Sequence, residues 1–242
     1  MARIRQIPRE PGMADAVADQ LRASIIAGDL QPGTRLLQEE LAERLAVSRA
    51  PVRQALAMLE REGLVKADRW RGSVVASLDV PHIRDVYEFR GVVERFVAEA
   101  LARRQDFDAT PWRALIDAGR AAVAGGDLNK LIDLDLRFHT RLYEAVGNQV
   151  LSEVMEGQWT HTRRVMSATL KMRGYPQTAW DEHEAIIDAI ASHDVAVAGQ
   201  RAADHMQAAS TRMVETFARQ AAEEPEPSDR DPRRSRSRAA RR

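Results

Sequence analysis

Residues 41–56, reading LAERLAVSRAPVRQAL, leave this chain few ways to fold. Leu41, Leu45, Val47, Val52, Leu56 and Leu59 are spaced so that two helices, broken at Ala46-Val47-Ser48, share one core while their other faces stay polar. The spacing predicts a helix over 38–45, a tight turn, and a second helix over 49–62 that Gly63 stops. Ser48 is placed to cap the second helix, and Pro51 is tolerated in its first turn, where an N–H would have no partner. The leading end of that helix carries Ser48, Arg49 and Arg53, and a helix of this kind fits a DNA major groove. Arginine forks read guanine edges or grip phosphates, and the helix N-terminus itself favours phosphate. Isolated surface arginines are ordinarily just solvated; here the helix-turn-helix setting argues for DNA.

The flanks complete a module. Val17, Leu21 and Ile25 recur every four residues, predicting a helix over 13–27 that ends at Gly28 and Pro32-Gly33. Two β-prone runs, 64–67 and 73–76, separated by 68–72, read as a hairpin. Three helices and a hairpin make a winged helix. Beyond residue 80 only helical periodicity appears, over 80–104, 110–124, 127–146, 149–171, 177–192 and 194–221. Thr110-Pro111, Gly125-Gly126-Asp127, Gly147-Asn148 and Gly174-Tyr175-Pro176 separate these helices, with a weaker break at His193-Asp194. The expected fold is mostly α: an N-terminal winged helix-turn-helix followed by a six-helix antiparallel bundle. Residues 1–12 read as a flexible arm, 13–77 as the DNA-binding domain, 78–222 as an all-helical effector-binding and dimerisation domain, and the arginine-rich 223–242 as a disordered, solvated tail.

Composition agrees and narrows the class. Only 5% of residues are aromatic, while alanine, leucine, arginine and glutamate dominate, as in packed helices. Formal net charge is zero, so DNA affinity has to come from locally placed arginines rather than from bulk charge. The chain has no cysteine, which removes disulfide and thiolate chemistry. Without a signal-peptide pattern or a membrane-length apolar run, a cytoplasmic protein with no membrane partner is expected.

Asp135 and His139 lie four residues apart on a helical stripe shared with Leu131, Leu142 and Val146, so both should point into the bundle. His183 runs with Ile186, Ile187 and Ile190, and His205 with Ala202, Ala209 and Met213, so both face inward too. A single inward histidine is usually an ordinary core residue. Three imidazoles and a carboxylate in one apolar interior need a common partner, because unpaired buried charge costs several kcal/mol. A divalent metal is the economical choice, zinc first, with nickel, manganese or iron also compatible with this donor set. Arg90, between Val86 and Val93, also turns inward and needs an anion, either Glu94 one turn later or a bidentate ligand carboxylate.

The stretch LQEELAERLAVSRAPVRQALAMLEREGLV, followed by Arg71-Gly72, resembles the GntR family of bacterial regulators over about residues 14–77. That resemblance implies base or phosphate contacts from Ser48, Arg49, Ala50 and Arg53, and an approach to the minor groove by Arg71 and Gly72. One departure is Glu39, which stands where the fatty-acid-responsive branch of the family has an arginine. The D-x-x-x-H pair and the two later histidines, over about residues 80–220, resemble the FCD type of sensor domain in the same family. This second resemblance implies metal at Asp135, His139, His183 and His205 and a small organic acid effector meeting Arg90, with Asn148, His161 and Arg164 as further candidates.

The expected function is a ligand-responsive repressor that binds a pseudo-palindromic operator in double-stranded DNA as a homodimer, with an effector altering the spacing of the two readers. Two alternatives are a metal-dependent hydrolase and a helical interaction protein with a winged-helix module. The hydrolase reading has little support, because His183-Glu184 lacks the second histidine of the zinc-protease helix and no nucleophile elbow or phosphate loop appears.

Overall fold

Val17, Ala18, Leu21 and Ile25 form the buried stripe of the first helix, α1 (Met13–Ala27), which ends at Gly28 in the left-handed conformation. The computed structural model describes residues 12–68, 72–173 and 178–223. The arm before Gly12, the hairpin tip with Arg71, the break at 174–176 and the tail from residue 224 therefore lie outside the described residues. After α1 come β1 (Arg35–Leu36), α2 (Gln38–Arg44), α3 (Arg49–Arg61), β2 (Val65–Asp68) and β3 (Gly72–Val75). Val17, Leu21 and Ile25 join Leu41, Val52, Leu56, Leu59, Leu64 and Val75 in one core, the winged-helix arrangement predicted above.

Between α2 and α3 the chain reverses tightly. Ala46 takes a positive φ of 54°, and Val47 N–H donates to the Ala42 carbonyl at 3.0 Å. The strands form an antiparallel sheet in the order β1-β3-β2, with Val65 opposite Val75 and Arg35 opposite Val74. The sequence pattern foretells the hairpin but not β1, whose two residues are too few to show alternation.

The second part contains α4 (Val80–Ala102), α5 (Thr110–Gly125), α6 (Leu128–Val146), α7 (Gln149–Arg173), α8 (Thr178–Ala191) and α9 (Val195–Glu223). Side-chain caps mark where these helices start: Asp79 accepts from His82 N–H at 2.9 Å, Asp127 from Lys130 at 3.1 Å and Asn148 from Leu151 at 3.2 Å. The weak break before α9 is made by His193 at a φ of 59° and by Asp194, which accepts from Val197 N–H at 3.1 Å. α4 lies along α9, and the interior is filled by Ile83, Val97, Phe138, Leu142, Trp180 and Ile190.

Gly119 shows how close that packing is. A Cβ at this position in α5 would overlap the fully buried indole of Trp180 on α8. Gly119→Ala should therefore lower the unfolding free energy by about 1–3 kcal/mol through overpacking, despite the roughly 1 kcal/mol by which alanine favours a helix. A denaturant melt of the variant checks this; an unchanged midpoint would mean that the indole can move aside.

Candidate metal centre and nucleic-acid interface

The turn at Ala46 sets the start of α3 on the outside of the winged helix, where Ser48, Arg49, Ala50 and Arg53 are all exposed. Ser48 holds the cap position with extended backbone, but its side chain makes no capping hydrogen bond, unlike the role its sequence position suggests. Arg49 leans back to α2 and pairs with Glu39, Nη1 to Oε1 at 2.8 Å, across a wholly solvent-facing gap. Gly72 opens β3 with a φ of 74°, a left-handed conformation that suits glycine at the exit of the wing.

In the bundle, α6 carries Asp135 and His139 on one inward face, α8 supplies His183 and α9 supplies His205, all buried. The donor nitrogens of the three histidines lie within 4.8 Å of one another. His183 Nε2 stands 3.0 Å from His205 Nε2 and 3.6 Å from Asp135 Oδ1. Glu182 accepts from His205 Nδ1 at 2.6 Å, which leaves the Nε2 lone pair aimed at the centre; a carboxylate behind an imidazole orients metal-ligating histidines in the same way. His139 Nε2 and His183 Nδ1 are buried with no hydrogen-bond partner. Burial, followed by its positively charged neighbours, pushes the His183 imidazole well below its ordinary pKa, and burial also lowers His205. Neutral imidazole is the form that binds metal. An orphaned inward nitrogen, convergent lone pairs and one carboxylate together fit a small divalent cation.

Beside the histidines lies a second polar group. Glu94 Oε1 is 2.8 Å from His139 Nδ1 and 3.3 Å from Arg90 Nη2, and it accepts a hydrogen bond from the Tyr143 hydroxyl. Burial opposes ionisation of Glu94, but His139, then Arg90 and Tyr143, outweigh it and hold the carboxyl at about 2. The free space here, lined by Arg90, Asp135, His139 and His205, is about 20 Å³, enough for an ion or a single water.

The model for bacterial regulatory proteins of the gntR family matches residues 13–75, and the FCD domain model matches residues 85–208. The chain belongs to the GntR family. Its relatives include the gluconate operon transcriptional repressor of Bacillus licheniformis, 29% identical over 175 residues that cover 71% of this chain and 70% of that protein. The HTH-type transcriptional repressor RspR of Escherichia coli strain K12 is 26% identical over 188 residues, covering 77% of this chain and 82% of that protein. Among solved structures, a GntR transcriptional regulator from Rhodococcus sp. RHA1 superposes with a TM-score of 0.68 at 25% identity, covering 84% of this chain and 97% of the other. This GntR-family chain is accordingly a DNA-binding transcriptional regulator and not an enzyme. Among the described residues no helix is long and apolar enough to cross a membrane.

Three effector candidates fall elsewhere in this regulator. Asn148 is exposed and caps α7. His161 and Arg164 sit where the winged helix meets the bundle: His161 Nδ1 is 3.3 Å from His82 Nε2, and Arg164 donates to the Ala76 carbonyl. Their helical positions do face the interior side of α7, but what they meet there is the end of β3 and the start of α4. Conversely, sequence reasoning missed Tyr143, Glu182 and Arg212. Tyr143 follows His139 by four residues and was findable on the same stripe. Glu182 accepts from Arg212 at 2.9 and 3.0 Å, a pairing across two helices that leaves no local mark in the sequence.

Proposed function

We propose that this regulator is a ligand-controlled repressor whose winged helices bind an operator through Ser48, Arg49, Ala50 and Arg53, with Gly72 and Arg71 at the minor groove. Its bundle holds a divalent metal, zinc first and nickel, manganese or iron next, on Asp135, His139, His183 and His205. A small carboxylate effector meets the metal and Arg90. The observation that carries this reading is the convergence of three buried imidazoles within 4.8 Å, next to a buried arginine, in the same chain as an exposed basic helix end. The metal would act as a Lewis-acid anchor for the effector carboxylate. The gluconate operon named for one relative points to sugar acids as an effector class. Since the free space is only about 20 Å³, such a ligand requires movement of Met166, Met206 and Met213, which line it and whose unbranched side chains re-pack readily.

The test is metal content together with reciprocity. Adding zinc at a hundredfold excess over its dissociation constant to chelator-stripped protein should raise the unfolding free energy by about 2.7 kcal/mol, and should do so far less for His139→Ala or His205→Ala. Gluconate should then weaken operator binding by the same factor by which operator weakens gluconate binding. Equal gluconate affinity with and without operator would end the effector assignment.

Dimerisation has its own support. Phe89, Val92 and Phe96, respectively 42%, 70% and 50% exposed, form an apolar edge along α4 at helical spacing. We take it as the face against which α4 of a second copy packs about a two-fold axis, placing the two readers on half-sites. Phe96→Glu should therefore yield monomers in sedimentation and cut operator affinity by about a hundredfold or more, because bivalent binding is lost. A dimeric Phe96→Glu protein with full affinity would exclude this face.

A further inference from the structure

α6 carries chemistry on both sides. Its inner face presents Asp135 and His139 to the buried cluster, while Arg137 and Arg141, one turn apart, line an outer groove of about 720 Å³, Arg141 with its guanidinium over the Trp112 ring at 5.6 Å. Ile26 of α1, Leu115 of α5 and Trp159 of α7 also line this groove. Asp133, at its edge, is already engaged by Arg163 at 2.6 Å. Arg137 and Arg141 are thus set against a single further carboxylate in the lining, Glu144, and the groove keeps an excess of positive charge. Trp159 is the partition between groove and interior. On its inner side it stacks on Tyr143, with ring centroids 5.5 Å apart and an interplanar angle of 14°, and it lies 5.3 Å from the Arg90 guanidinium.

We propose that this groove is a second ligand site, for a small carboxylate with a flat apolar body, in which Arg137 and Arg141 grip the carboxylate and Trp159 gives the body a stacking surface. Arginine forks match carboxylates bidentately, an indole face prefers offset-stacked rings, and the volume falls in the range of ordinary ligand pockets. The buried cavity at the histidines, at about 20 Å³, has no such room. Occupancy of the groove would press on two places at once: Ile26 belongs to the winged-helix part, and Trp159 touches the Arg90 and Tyr143 group. The site needs no metal, which separates it from the effector site proposed above.

Benzoate is the probe. In chelator-stripped protein it should bind saturably at about 1 mM or tighter by calorimetry and quench tryptophan fluorescence, and Trp159→Phe should abolish that quench. The paired change Arg137→Gln and Arg141→Gln should weaken binding about tenfold or more, while Arg137→Lys with Arg141→Lys, which keeps the charge but loses the forks, should fall between. Both arginines are exposed, so metal uptake by the variants should match that of the wild type and report an intact bundle. The proposal is overturned if benzoate binding requires the metal, if the Arg137→Gln and Arg141→Gln protein binds benzoate as tightly as wild type, or if no saturable binding appears.

Discussion

Replacing Glu94 by alanine is expected to destabilise the bundle by about 3–5 kcal/mol, more than the overpacking expected at Gly119. The carboxylate is 3% exposed and serves His139, Arg90 and Tyr143 together. Without it the Arg90 guanidinium, itself 1% exposed, keeps its charge with its nearest carboxylate gone. What remains beside it is Asp135, the Tyr143 hydroxyl and the rings of Tyr87 at 5.5 Å and Trp159 at 5.3 Å, which compensate only part of a buried charge. Glu94→Gln separates the contributions. It preserves volume and can still accept from Tyr143, so its deficit relative to wild type reports the charge pairing, and the further deficit of Glu94→Ala reports the cavity and the lost hydrogen bonds. The measurement is urea unfolding of chelator-stripped protein, so that loss of metal does not enter. Loss of less than about 1 kcal/mol in Glu94→Ala would show that water replaces the carboxylate and that the group is not a structural hub.

That Glu94 matters so much was only half visible in the sequence. Its position four residues after Arg90 makes it one of two anions open to that guanidinium, the other being a ligand carboxylate, and the two side chains stand 3.3 Å apart. Its contacts to His139 and Tyr143, more than forty positions away, depend on the crossing of α4 and α6, which periodicity cannot supply. The same division runs through the molecule. Helix spans were legible because stripes such as Val17, Leu21, Ile25 and turn formers such as Gly147-Asn148 are local signals. The inward direction of Asp135, His139, His183 and His205 was legible for the same reason, each lying on an apolar stripe. Partners across helices were not, as with Glu182 and Arg212. Nor does the sequence show that His161 and Arg164, on α7, meet His82 and the Ala76 carbonyl, contacts that depend on how α7 packs against the winged helix.

The reading helix yields the other large effect. Arg49→Ala and Arg53→Ala should each cost about 1–3 kcal/mol in operator binding, and the double variant about 2–6 kcal/mol if the two act independently. Neither residue is buried, so these substitutions should leave the fold and the histidine cluster intact and appear only in DNA titrations. Salt distinguishes what each arginine touches. A phosphate contact, when removed, weakens all sequences alike and lowers the slope of log affinity against log salt by about one, whereas a base contact leaves the slope nearly unchanged and relaxes preference at one position. Arg49 carries an added condition, because it is held by Glu39 at 2.8 Å with both side chains largely exposed. Exposed pairs of this kind contribute little, so DNA can draw Arg49 away, but Glu39 then stands as an unpaired negative charge close to phosphate. Glu39→Gln should therefore strengthen binding to operator and to unrelated DNA alike, most at low salt. Should it instead weaken operator binding selectively, Glu39 holds Arg49 in the orientation that reads the base, and the two residues act as one recognition unit.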